Sequence, residues 1–221
     1  GRDVFGKPIP PAPGRPARIV AGKNVCLSED GQCAFATSDG CVKVVRSRIS
    51  VDTKMQIRGD VNFRSGSIEF NGDVHVGGDV KETFSITAGG SITVGGLVDR
   101  ANLKAGGDII IHNGVFGKED VSVEAEGNIT FRFAENANLL AGGSIYAKGA
   151  LVNCRAHANE KIWLRASEKA VIGGHIYAAH GIEAHSLGNA RLATRTVVEF
   201  GANPNIEERE RSFKIRSRVA T

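Results

Sequence analysis

Large aromatic side chains are scarce. Phe, Tyr and Trp make up 6% of the 221 residues, with a single Trp and two Tyr. A globule packed around big rings is therefore a poor account of the core, which must be built from Val, Ile, Leu and Ala. No run approaches the roughly 18 apolar residues that a membrane-spanning helix needs. Proline is nearly absent after residue 16: five of the six are Pro8, Pro10, Pro11, Pro13 and Pro16. The cysteines are Cys26, Cys33, Cys41 and Cys154. None forms Cys-x-x-Cys, so zinc-ribbon spacing is missing, and they read as free thiols of a cytosolic protein. There is no secretory signal, and the first residue is Gly, so the chain reads as a piece excised from a longer protein.

The net charge of +4 is uneven. Residues 1–24 carry +4, residues 186–221 carry +3, and the body between them carries −3. A mildly acidic body with basic ends does not suit a nucleic-acid groove, which needs a basic stripe along its binding face.

What the chain has in abundance is glycine, 28 residues, and it is periodic. A unit of glycine, small polar residue and aliphatic residue returns at Val74, Ile92, Ile109, Ile129 and Ile145, and its aliphatic position again at Ile162, in steps of 18, 17, 20, 16 and 17 residues. Inside it runs a shorter beat, with Val74, Val80, Ile86, Ile92, Val98, Leu103, Ile109 and Val115 five or six residues apart. Three short rungs per coil, with a turn after each, describe a triangular β-solenoid. Within Ile92-Thr93-Val94, alternation sends Ile92 and Val94 inward and Thr93 outward. Gly-Gly pairs such as Gly77-Gly78, Gly89-Gly90 and Gly106-Gly107 mark corners, where positive φ is cheap and no side chain blocks the next coil. If the coils stack in register, Asp73, Ser91, Asp108, Asn128 and Ser144 form a polar ladder in which no two carboxylates are adjacent, as like-charge repulsion requires.

Along the chain, residues 1–18 read as an extended Pro-rich arm. Residues 19–49 read as a small β cap, with Val25-Cys-Leu, Cys33-Ala-Phe-Ala and Val42-Lys-Val-Val as short strands joined by hairpin turns. They would cover the first coil, since an open sheet edge invites aggregation. Residues 50–198 are the β-helix, about eight coils of about 18 residues. Its late coils look less regular, with Trp163, Tyr177 and His180 in the turns, and irregular coils are where a binding surface or cap is expected. Residues 199–221 read as a C-terminal cap. Ile206 and Phe213 are seven apart within a segment acidic first and basic later, which suits a short helix or the start of a helical coiled coil.

Three stretches carry a resemblance. Asn71-Gly-Asp-Val-His-Val-Gly-Gly-Asp-Val, Ala88-Gly-Gly-Ser-Ile-Thr-Val-Gly-Gly-Leu-Val and Ala105-Gly-Gly-Asp-Ile resemble the flagellar assembly protein A family. The opening Gly1-Arg-Asp-Val-Phe-Gly-Lys-Pro-Ile-Pro, and Gly22-Lys-Asn-Val-Cys-Leu followed by Asp39-Gly-Cys-Val, look like its lead-in. The resemblance implies an all-β, single-stranded right-handed parallel β-helix between an N-terminal domain and a helical coiled coil. It implies a cytoplasmic bacterial scaffold, with flagellar or polarity machinery and a sugar-phosphotransferase regulatory protein as partner candidates. It attaches no catalytic residue.

The chemical alternatives rest on few residues. A hexapeptide-type acyltransferase would use His112 or His175, but its repeats place a small residue after the aliphatic, where Ile92-Thr, Ile109-Ile, Ile129-Thr and Ile145-Tyr do not. His175, His180 and His185, with Glu183, recur at spacing five, which sends them to different sides of a coil rather than to one metal. Asp99, Glu119, Asp120, Glu124 and Glu126 lack the pairing that glycoside cleavage needs. The reading is a non-enzymatic scaffold with no catalytic, cofactor or metal site, no nucleic acid and no membrane span. A homo-oligomer, as in the self-assembling bactofilins, is the alternative from a different class.

Overall fold

In a computed structural model, residues 1–10, 18–118, 121–165, 171–188 and 194–201 are described. Residues 11–17 of the Pro-rich arm, and the expected helix over 203–221, lie outside the described residues. Among the described residues every regular element is a β-strand. The chain divides into two units, Gly1–Asp52 and Thr53–Thr221.

The first unit holds two antiparallel hairpins. Val25–Leu27 pairs with Ala34–Ala36, and Cys41–Val45 with Arg48–Asp52. Lys43 Nζ meets Asp52 across the second hairpin. Val20–Ala21 adds in parallel to Arg48–Asp52.

The second unit is a parallel β-solenoid of eight coils. On its first face, Met55, Val74, Ile92, Ile109, Ile129, Ile145, Ile162 and Ile182 lie one above another. The second face stacks Val61, Val80, Val98, Val115, Ala134, Leu151, Val171 and Leu187. The third stacks Ile68, Ile86, Leu103, Val123, Leu139, Ala156, Ile176 and Val198. From Val74 to Ile176 nearly all of these side chains are buried, and they form one continuous core cluster. A second inward column on the third face narrows to alanine at Ala88, Ala105, Ala125, Ala141, Ala158 and Ala178. Small residues there let the third face close against the wider Ile and Val columns. The period of about 18 and the alternation within Ile92-Thr93-Val94 stand as read.

Two expectations need correcting. The corner glycines Gly77, Gly78, Gly89, Gly90, Gly95, Gly96, Gly106, Gly107, Gly142 and Gly143 do not have positive φ. Space is what they provide: a Cβ at Gly107 would lie 2.6 Å from Ser91 Oγ, and one at Gly143 2.6 Å from Asn128 Oδ1. The pair Gly173-Gly174 does have positive φ, at the turn between the second and third faces, where Arg100, Asn136 and Asn153 are also left-handed. Trp163 and Tyr177, expected in turns, lie on strands Lys161–Leu164 and Val171–Ala178. The late coils are regular in another way. Leu151–Ala158 and Val171–Ala178 are continuous eight-residue strands across the corner between the second and third faces, where earlier coils have two shorter strands.

The stacking makes two predictions for thermal or urea unfolding. Ile129→Ala removes a fully buried rung and should cost about 2–5 kcal/mol. Gly107→Ala must push Ser91 and the backbone below it apart and should cost about 1–3 kcal/mol. An unchanged melting temperature for Gly107→Ala would show that the corner relaxes freely.

Candidate functional site

The polar ladder forms as read, and each step has a bond the spacing alone does not reveal. Asp73 Oδ1 accepts from the Ser91 amide at 3.0 Å, and Ser91 Oγ from the Asp108 amide at 3.1 Å. Asp108 Oδ1 accepts from the Asn128 amide at 2.7 Å, and Asn128 Oδ1 from the Ser144 amide at 2.8 Å. Ser144 Oγ donates to Glu160 at 3.0 Å, which continues the ladder upward. The small polar residue is thus a cap for the amide directly above it. The glycine before each rung leaves room for the cap below.

A second ladder runs before the rungs of the second face. Asp60 Oδ1 accepts from the Asp79 amide at 2.9 Å, and Asp79 Oδ1 from the Leu97 amide at 2.8 Å. Its signal was present, since Gly59-Asp60-Val61 and Gly78-Asp79-Val80 repeat the same unit. Two stacked carboxylates are tolerated because Lys81 Nζ lies 2.8 Å from Asp79 and 4.0 Å from Asp60. The Lys81 ammonium first, and then the Leu97 amide, hold the Asp79 carboxyl below its usual range.

The outward columns differ from face to face. On the first face Thr93, Ile110, Thr130, Tyr146, Trp163 and Glu183 stand in vertical register. Tyr146 and Trp163 pack edge to face, with centroids 5.0 Å apart at 78°. Two residues further on, just past the end of each strand, runs a cationic column. Arg132, Lys148, Arg165 and His185 directly follow the registered rungs Phe131, Ala147, Leu164 and Ala184. The amides of Lys148 and Arg165 bond to the carbonyls of Phe131 and Ala147 in the coil below, at 3.2 and 2.9 Å. The Arg132 amide bonds to the Asn113 carbonyl in the coil below at 2.8 Å, and all four side chains are exposed.

On the third face a shallow groove of about 240 Å³ is lined by Lys104, Glu124, Glu126, Leu140, His157 and Asn159, among others. Ser122 Oγ donates to Glu124 at 3.0 Å, and His157 Nε2 lies 3.1 Å from Asn159 Oδ1. Glu124 and Glu126 thus share this groove, whereas Asp99 sits on the second face with Arg100, and Glu119 and Asp120 lie outside the described residues.

The structure separates the histidines. His175 is on the third face, its Nε2 3.2 Å from Glu199 but poorly aligned for a hydrogen bond. His180 occupies a turn and His185 ends the first face. His112 Nδ1 lies 3.3 Å from the Val94 carbonyl. Among the described residues no group of three or more His, Cys, Asp or Glu is placed to hold a metal ion. Cys26 and Cys33 are exposed, Cys41 is half-buried and Cys154 is buried, all as free thiols. Burial pushes the Cys154 thiol up to about 11. No helix among the described residues is long and apolar enough to cross a membrane.

Stacked parallel coils, caps passed from coil to coil and faces differing only in their outward columns define a β-solenoid protein. The family models agree with the geometry. Residues 53–218 match the Flagellar Assembly Protein A beta solenoid domain, and residues 1–47 match the Flagellar Assembly Protein A N-terminal region. The chain belongs to the Flagellar Assembly Protein A family. No curated protein and no solved structure shows a significant match.

The Asp79 cap has a pH signature. Its folded value lies below the unfolded one, so its contribution is present above about pH 4 and is lost as the pH falls through the folded value. Asp79→Asn keeps an acceptor for Leu97 but loses the Lys81 ion pair, a half-exposed contact of a few tenths to about 1 kcal/mol. Urea titrations should show wild type ahead of the variant at neutral pH and the gap closing in acid. A gap that persists at low pH would contradict the assignment.

Proposed function

We propose that the chain is a non-enzymatic, cytoplasmic scaffold in bacterial flagellar assembly or polar placement, and that it recruits proteins through the outward columns of its solenoid. The observation that carries the reading is the contrast between inside and outside. The inward columns repeat almost unchanged through the stack, whereas each outward face has its own chemistry. A repeat body with a uniform core and individual faces is suited to holding partners at fixed spacing. Family membership supports the flagellar process, and a sugar-phosphotransferase regulatory protein remains among the partner candidates.

The protein immobilised and incubated with extract of motile cells should retain flagellar, polarity or phosphotransferase components. Recovery of none of these from cells that assemble flagella would count decisively against the reading.

A further inference from the structure

We propose that the first face is the docking surface of this scaffold, and that its partner is a protein segment presenting carboxylates beside an apolar or aromatic anchor. The proposal rests on the scaffold reading and names the surface and the partner chemistry.

The first observation is a departure from the fold's own rule for charge. Parallel stacking puts each outward side chain about 4.8 Å from its counterparts in the coils above and below. Like charges in that relation repel. Elsewhere the solenoid answers this with ion pairs: Lys54 with Asp73, Lys81 with Asp60 and Asp79, and Arg100 with Glu82 and Asp99. Arg132, Lys148 and Arg165 follow one another in three successive coils. Among the described residues none of the three has a carboxylate within ion-pair distance. A column of three exposed cations does nothing for the stack and is open to an external anion.

The second observation is what stands beside that column. Two residues before Lys148 and Arg165, Tyr146 and Trp163 form an aromatic strip, and Ile110, 40% exposed, lies further down the same column beyond Thr130. A recess of about 190 Å³ opens between Trp163, Leu164, Arg165 and Glu183. Trp, Tyr and Arg are the residues that most often anchor protein interfaces. Carboxylates on the cationic column and an apolar side chain on the strip would each meet their complement.

Nucleic acid fits less well. Three fixed charges would release about three counterions, a salt slope near −2 on a single strand. Sequence-tolerant single-strand binding also needs successive stacking platforms, and an edge-to-face Tyr146–Trp163 pair does not offer two parallel ring faces.

Trp163 is the only tryptophan, so its emission reports on the site directly. The probe is a Trp-free synthetic peptide with a Phe-Leu pair flanked by glutamates, titrated against the full chain. A saturable change in emission is expected, weakening as salt is raised. Arg132→Glu/Lys148→Glu/Arg165→Glu should raise Kd at least ten-fold. The neutral set Arg132→Gln/Lys148→Gln/Arg165→Gln should raise Kd comparably without lowering Tm, since it relieves repulsion, which separates a binding defect from misfolding. No saturable response, unchanged binding by either variant, or tighter binding of oligothymidylate than of the peptide would each overturn the proposal. Retrieval of the same flagellar components by the charge-reversed protein would overturn the surface while leaving the scaffold reading intact. Failure of the wild type to retrieve any would remove the scaffold reading, whatever the peptide does.

Discussion

In-register parallel stacking governs this solenoid. Once each coil must repeat the one below at about 4.8 Å, every position in the repeat becomes a column, and each column faces one physical test. Inward columns must fill a narrow prism, so they hold Ile, Val, Leu and Ala, and among the described residues Phe131 is the one large ring in the fully buried set. Corner columns must satisfy amides that would otherwise face a turn, so they alternate Asp, Ser and Asn, whose oxygens accept from the coil above. The glycines before the caps are excluded volume made visible: a side chain at Gly78, Gly90, Gly107, Gly127 or Gly143 would occupy the place of the cap below. Glycine, polar residue and aliphatic residue are therefore three consequences of one constraint.

That is why the architecture could be read from residue order. A constraint acting identically on every coil writes the same short string many times, and Gly72-Asp-Val, Gly90-Ser-Ile and Gly107-Asp-Ile are copies of it. The reason for the glycines was not legible in the same way. Turn logic points to positive φ, and only the stack shows that the backbone is ordinary and the neighbour below is what matters. The Asp60–Asp79 ladder was missed because two carboxylates in succession look forbidden until Lys81 is seen between them. Bulky residues break the short-rung pattern, so residue order alone points Trp163 and Tyr177 to turns. On an outward column bulk costs nothing, and each ring packs on a ring one coil below, Tyr146 and His157.

Charge shows the limit of linear reading most clearly. The body's net charge of −3 spoke against a basic stripe, and it is a sound argument for a globule in which sequence neighbours share a surface. A solenoid breaks that link. Residues 132, 148 and 165 are separated by whole coils in the chain and adjacent in space. A sum over the chain averages columns of opposite sign, while a partner meets one column at a time. The relevant quantity is the charge summed down each column, which becomes computable only when the register is known.

The same logic bears on how such a protein acquires function. An inward substitution disturbs the rungs above and below it, so the core is nearly fixed, as the alanine column from Ala88 to Ala178 illustrates. An outward substitution disturbs only its column neighbours and leaves the amide ladder intact. Binding chemistry can therefore be written on a face one coil at a time, with positions set by the backbone rather than by loop conformation. A rigid lattice of this kind favours recognition of an extended segment or a flat surface over enclosure of a small molecule, because a flat β-face offers rows of side chains and little concavity. The first face, with a cationic column at the strand ends held beside an aromatic one by amide bonds to the coil below, is the clearest instance in this chain.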